Sequence, residues 1–191
     1  MLETLLELDK ASFYFFNGVL TNPVLDSLMP FVTNKANFLE IILISWFAIF
    51  LTGGGKGKKT ALIILLVILI SDQSANLLKY MFHRERPCNA LTGIRLLVGC
   101  GDSYSFPSNH ATNIFASMFY LSYNYRKLSP VFIAIAVLVA YSRVYVGVHY
   151  PIDVLVGALL GFAISGFVIV LERNILTRWR QRADCNTGDI L

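Results

Sequence analysis

The sequence predicts an all-α, polytopic membrane helix bundle with about six transmembrane helices, and three observations carry that reading. Hydrophobic residues make up 55% of the 191 and charged residues 15%, against about 45–50% and about 25% in soluble domains. Apolar runs recur near the ~20 residues that a helix needs to cross a bilayer. The basic residues, in excess at a net charge of +4, gather in short clusters between those runs, as membrane topology requires. This excludes a disordered chain, a collagen-like fibre and a disulfide-built mini-protein, and argues against a soluble enzyme. No basic and aromatic residues interleave as a nucleic-acid surface would require, so the expected partner is the bilayer. The length fits one domain, residues 1–191.

In Met1–Lys10 the leucines 2, 5, 6 and 8 fall on one side and Glu3, Glu7 and Asp9 elsewhere. That pattern predicts an amphipathic helix over Met1–Phe16 lying on the membrane surface. Its acidic start argues against a cleavable signal peptide. Ala11–Val32 is apolar but holds Asn17, Asn22, Pro23, Asp26 and Pro30, and reads as a short or broken first span. The clearer spans are Phe38–Leu51, Thr60–Phe82, Ala111–Tyr125, Leu128–Val148 and Ile152–Leu171. Lys56, Lys58 and Lys59 follow the second span, Arg126 and Lys127 the fourth, and Arg173, Arg178, Arg180 and Arg182 the last. All fall on one side if each run crosses once, and the positive-inside rule makes that side cytoplasmic, with residues 173–191 as a basic tail. Arg84, Arg86 and Arg95 then lie outside, against the rule, which points to another task for them.

Three polar islands share that outer side. Lys79 and Arg86 end the third span, seven residues apart, with Pro87 opening the last turn; together they offer a point charge and a planar fork for an anion. Ser108 precedes the fourth span as an N-cap, followed by Asn109 and His110, and helix starts of this kind bind anions. Arg143 ends the fifth span, where an arginine is costly unless paired. His149 and Asp153 stand four residues apart at the start of the last, a spacing that lets the carboxylate orient the imidazole. Taken alone, each island has a plainer explanation as anchoring bases or a capped helix. Their convergence at one depth from three span ends calls for metal-free phosphoryl transfer, in which bases neutralise oxygens, one histidine attacks and another protonates the leaving group. No paired carboxylates or Cys/His spacing indicate a metal or other cofactor, and none is expected.

These segments resemble the type 2 phosphatidic acid phosphatase family, membrane lipid phosphatases related to the vanadium haloperoxidases. The family pattern of Lys, six residues, Arg-Pro stands here as Lys79…Arg86-Pro87. Pro-Ser-Gly-His stands as Pro107-Ser108-Asn109-His110, and Ser-Arg, five residues, His, three residues, Asp as Ser142-Arg143…His149…Asp153. The resemblance implies a six-helix bundle in a bacterial cytoplasmic membrane with its site facing the periplasm. It implies His149 as nucleophile oriented by Asp153, and His110 as general acid and then activator of water. Lys79, Arg86, Ser108, Asn109 and Arg143 would hold the phosphate. Asn109 replaces the family glycine and serves through its backbone amide if that position needs no positive φ. The implied substrate is a membrane lipid phosphate or diphosphate. Undecaprenyl diphosphate, with its small headgroup, suits a short chain best; lipid A 1-phosphate, phosphatidylglycerol phosphate and phosphatidic acid are alternatives.

Cys88 and Cys100 both fall in the outer connection, where an oxidising compartment permits a disulfide. Asp72 reads as a structural partner for a polar side chain on another helix. His83 and Arg84 read as solvated loop residues, and Tyr104, Tyr145 and Tyr150 as interfacial aromatics. A transporter or flippase would also need buried bases, yet gives no reason for two histidines and an aspartate four residues after one of them.

Overall fold

The computed structural model describes residues 2–188, and all regular structure among them is helical. Helix α1, Leu2–Tyr14, continues into a π-helical turn at Phe15–Val19. Helix α2, Pro23–Thr33, is capped by Asn22, whose side chain accepts from the Leu25 amide, and carries proline at its first position. A 3₁₀ turn, Lys35–Phe38, leads into α3, Leu39–Thr52, and then α4, Gly54–Phe82. One turn, α5 (Pro87–Ala90), and a loop precede α6, Asn109–Asn124; α7, Ser129–Tyr145, and α8, Pro151–Gly188, are the last described helices.

Four segments are long and apolar enough to cross a membrane among the described residues: Lys35–Thr52, Gly54–Ala90, Arg126–Tyr145 and Pro151–Ile175. The run Ala111–Tyr125 coincides with α6, which at 16 residues is shorter than the ~20 a free span needs. Its position explains the shortness. It packs against α4, α7 and α8 together, the most enclosed position in the bundle. Residues 53–59, rich in glycine and lysine between the second and third runs, are almost all helix: α4 already begins at Gly54, and the turn is Gly53 alone. A Cβ on Gly57 would stand 2.2 Å from the Ile49 carbonyl oxygen, so only glycine lets α3 and α4 meet so closely. In α8 the helix runs through the expected basic tail; of its side chains, those at 176 and from 178 onward lie outside the described residues.

Two packing seams position the outer ends of the helices. Along α4 the buried positions Gly57, Ala61, Val67, Ser71, Ala75 and Lys79 form one helical stripe that finishes on a lysine. Along α8, Gly157, Gly161 and Ser165 repeat every four residues against α6. A Cβ on Gly161 would lie 2.5 Å from the Thr112 carbonyl oxygen and one on Gly157 2.8 Å from that of Ser108, while Ser165 Oγ donates to the Ala116 carbonyl at 2.5 Å. Small residues at this spacing let two membrane helices touch backbone to backbone. The N-terminal helix buries Asp9, Phe13 and, one turn on, Asn17, while Leu5, Leu6 and Leu8 face outward. Phe13 packs with Ala111, Ala140, Val144, Tyr150 and Val154 in a core between α6, α7 and α8.

Candidate active site

At the end of the bundle opposite Lys56 and Lys59, the three islands meet. Lys79 is 4% exposed, Arg86 7%, Arg143 9%, His149 2%, and Ser108 and Asp153 are fully buried. Each is placed by a local rule. Lys79 closes the α4 stripe, and His83, in a left-handed conformation (φ 48°), ends that helix so that the chain turns back toward the bundle. Arg86 is extended before Pro87. Ser108 caps α6, and its amide donates to the Asp153 carbonyl at 3.0 Å, which joins the start of α6 to the start of α8.

The cations hold neutral acceptors. Lys79 Nζ donates to the carbonyls of Tyr104 (2.5 Å) and Ser105 (3.2 Å). Arg86 donates to the Ser103 carbonyl and hydroxyl at 2.7 and 2.8 Å, and to the Val148 carbonyl at 3.1 Å. Arg143 donates to the Thr33 hydroxyl, and its buried Nε has no partner among the described residues. None of the three is paired directly with a carboxylate among the described residues, and buried charge without such a partner is expensive; a cluster of this kind suits an anion. Arg86 Nη1 lies 3.2 Å from His149 Nε2. A guanidinium only donates, so Nε2 carries the lone pair and the ring proton is assigned to Nδ1. Nδ1 faces Asp153 Oδ2 at 3.5 Å. Burial, above all, lowers the His149 pKa to about 3, so the imidazole is neutral at physiological pH. His110, half-buried in the first turn of α6, stands near the same cations, with Arg143, Lys35 and Arg86 acting on it electrostatically.

Asn109 behaves differently from its neighbours. It opens α6 with an ordinary negative φ, so the backbone requires no glycine. Its side chain donates to Asp72 Oδ1 (3.1 Å) and Asn76 Oδ1 (2.7 Å). Asp72 also accepts from Asn113 at 3.1 Å, tying α4 to α6. Cys88 and Cys100 form a disulfide with a Cα separation of 6.0 Å. The loop it closes reaches Arg95, whose backbone amide and carbonyl are both bonded by the buried Asn17 at 2.8 Å.

Arg84 is not a solvated loop residue. Its guanidinium donates to Asp153 Oδ1 at 2.7 Å and to Asp9 Oδ2 at 2.6 Å, over the ring of Tyr150. Tyr145 and Tyr150 are buried, not interfacial. Ser105 was also unmarked by the sequence reading; its hydroxyl donates to Asp153 Oδ2. The signal for Arg84 was its place in an outer connection against the charge rule. Asp9 gave no comparable signal. Among the described residues no group of three or more His, Cys, Asp or Glu side chains is arranged to hold a metal ion.

Comparison with known proteins agrees with this geometry. The chain is 30% identical over 93% of its length to a lipid A 4'-phosphatase of Porphyromonas gingivalis, covering 78% of that protein. It is 32% identical over 81% of its length to the undecaprenyl-diphosphatase BcrC of Bacillus subtilis, again covering 78%. Among solved structures, it is similar to a PAP2-type phosphatidylglycerolphosphate phosphatase of Bacillus subtilis, with a TM-score of 0.71, 27% identity, and coverage of 90% of this chain and 88% of that one. Aquifex aeolicus LpxE gives a TM-score of 0.73 at 27% identity, covering 86% and 95%. The model of the PAP2 superfamily matches residues 60–176, which include every residue of the cation cluster and both histidines, and the chain belongs to that superfamily.

Proposed function

We propose that the protein is an integral membrane lipid phosphatase working through a phosphohistidine on His149. The observation that carries this is the set of three buried cations, Lys79, Arg86 and Arg143, gathered on neutral acceptors around an imidazole lone pair. A lipid phosphate places its non-bridging oxygens among these cations and the amides at the start of α6. His149 Nε2 attacks phosphorus, and the bond from phosphorus to the leaving oxygen breaks, the lipid's own oxygen in a monophosphate or the bridging oxygen in a diphosphate. That oxygen takes a proton from His110, which enters the step as the imidazolium once the bound phosphate's negative charge offsets the surrounding cations. Asp153 accepts the hydrogen bond from Nδ1 as positive charge develops on the ring. A water then gives a proton to His110 and attacks phosphorus, the P–N bond breaks, and inorganic phosphate leaves. Asn109 contributes its backbone amide at most, since its side chain serves Asp72 and Asn76.

The six-span reading, the N-terminal surface helix, a single domain over 1–191 and a site facing the periplasm of a bacterial inner membrane belong to the same proposal. Its support is the collection of Lys56 and Lys59 at the end opposite the site. Undecaprenyl diphosphate is the favoured substrate, supported by the likeness to BcrC; lipid A phosphates follow, supported by the relative from Porphyromonas. The test is phosphate release by the purified protein from undecaprenyl diphosphate, lipid A, phosphatidylglycerol phosphate and phosphatidic acid. Release is expected to persist in EDTA. His149→Ala and His110→Ala are each expected to lower it by at least ~10³-fold. Retained turnover by the folded His149 variant would remove the nucleophile from the scheme.

A further inference from the structure

We infer that Arg84 and Asp9 are positioning residues for the nucleophile, so that the N-terminal helix takes part in catalysis through a chain of charges running Asp9, Arg84, Asp153, His149. The inference rests on the phosphohistidine reading and goes beyond the residues the three motifs specify, because Arg84 is one of the six unspecified positions of the first motif and Asp9 lies outside all three.

The two oxygens of Asp153 have different surroundings. Oδ2 accepts from the Ser105 hydroxyl, from the Tyr150 amide at 2.9 Å, and faces His149 Nδ1 at 3.5 Å. Oδ1 is held by Arg84 at 2.7 Å. The carboxylate is fully buried. The contact to His149 is the longest of the four, so it responds most to any rotation of the group. Arg84 prevents that rotation by gripping the opposite oxygen with a charge-assisted bond.

Arg84 is in turn held on two sides. Its second terminal nitrogen donates to Asp9 Oδ2 at 2.6 Å, and its plane lies 4.0 Å from the centre of the Tyr150 ring. Both of its terminal nitrogens are committed to carboxylates, which sets it apart from Lys79, Arg86 and Arg143. It therefore orients and does not bind phosphate. Asp9, fully buried, uses its other oxygen to accept from the Ile152 amide at 2.9 Å, in the same helical turn that carries Asp153. One side chain of α1 thus fixes both the arginine and the backbone behind the aspartate. A planar fork can bridge two carboxylates in this way, whereas an ammonium engages them as a point charge.

The experiment measures kcat and KM on the four-lipid panel, using the lipid that the wild type turns over fastest, with Arg84→Gln, Arg84→Lys, Asp9→Asn and the Arg84→Gln/Asp9→Asn double variant. Labelled phosphohistidine is trapped in a single turnover alongside. Loss of orientation lowers kcat for Arg84→Gln by ~10–100-fold, the range typical of groups that act through a catalytic side chain. KM stays within about twofold, because the phosphate-holding groups are untouched. Phosphohistidine formation slows by the same factor. Arg84→Lys recovers part of the loss, and the double variant is no slower than Arg84→Gln alone, as expected for links in one chain. A folded Arg84→Gln protein with wild-type kcat, or with its loss confined to KM, overturns the inference. Should Arg84→Gln fail to fold, Arg84→Lys and Asp9→Asn decide: wild-type kcat in both overturns it, and a lowered kcat at unchanged KM supports it. Failure of the phosphatase reading looks different, since the wild type then releases no phosphate from any lipid or the His149→Ala variant stays active.

Discussion

Burial of His149 links the chemistry of one residue to the stability of the fold. Its pKa is lowered to about 3 in the folded protein, against 6.5 for an exposed imidazole. Above pH 6.5 neither state takes up a proton and stability is unaffected. As the pH falls from 6.5 toward 3, the unfolded chain binds a proton that the folded one refuses, so stability declines. At pH 5 this amounts to about 2 kcal/mol for this one group. The check is the melting midpoint in detergent between pH 7 and 5, which is expected to fall less steeply for His149→Gln. At this scale much of the site was legible, because Lys79, Arg86, Ser108, Arg143, His149 and Asp153 fall at spacings fixed by helix ends. Arg84 and Asp9 were not legible as a pair. They are 75 positions apart, and nothing local marks two residues that meet only through the packing of α1 on α8.

Between elements, the decisive contact is the backbone approach of α8 to α6, because it sets how far Ser108 and His110 stand from His149 and Asp153. A side chain at Gly161 would meet the Thr112 carbonyl oxygen at 2.5 Å and the Ala116 nitrogen at 2.8 Å, backbone atoms with little freedom to retreat. Gly161→Leu is therefore expected to destabilise the protein by ~1–3 kcal/mol or more and to depress turnover by moving the two helix starts apart. Gly166→Ala, on the same helix with open space around it, is expected to leave both unchanged or to gain up to ~1 kcal/mol. Differential melting and phosphate release separate the two. The four long apolar helices could be read from hydropathy, but the limits of α4 could not. Its first turn is rich in glycine and lysine, the composition of a linker, and becomes helical because glycine permits the close approach of α3. In α1 the leucines 5, 6 and 8 face outward, and the stripe buried in protein, Asp9, Phe13 and Asn17, carried no hydropathy signal. In a bilayer the apolar side turns to lipid and the polar side seeks protein partners.

Across the whole molecule, charge is sorted by end. Lys56 Nζ donates to the Asn124 carbonyl at 2.6 Å beside the Tyr125 ring, and Lys59 pairs with Glu172, which also accepts from Tyr120 at 2.8 Å. This end gathers α4, α6 and α8, and the opposite end holds the cation cluster. With the positive-inside rule, an impermeant maleimide is expected to label Asp102→Cys in intact cells and Lys127→Cys only after permeabilisation, both in a Cys185→Ser background. Labelling in the reverse order would place the site on the cytoplasmic side.

The crowding of Lys79, Arg86 and Arg143 has a consequence for handling the protein as well as for turnover. Like charges packed this closely repel, and a free oxyanion that settles among them relieves the strain for the folded chain alone. Inorganic phosphate, the expected product, is therefore predicted to act as a folding ligand, read as a rise in melting midpoint: at 100 times its dissociation constant it would add ~2.7 kcal/mol to stability. A purification buffer containing phosphate would keep the enzyme intact while silencing it, and dialysis would restore activity at the expense of shelf life.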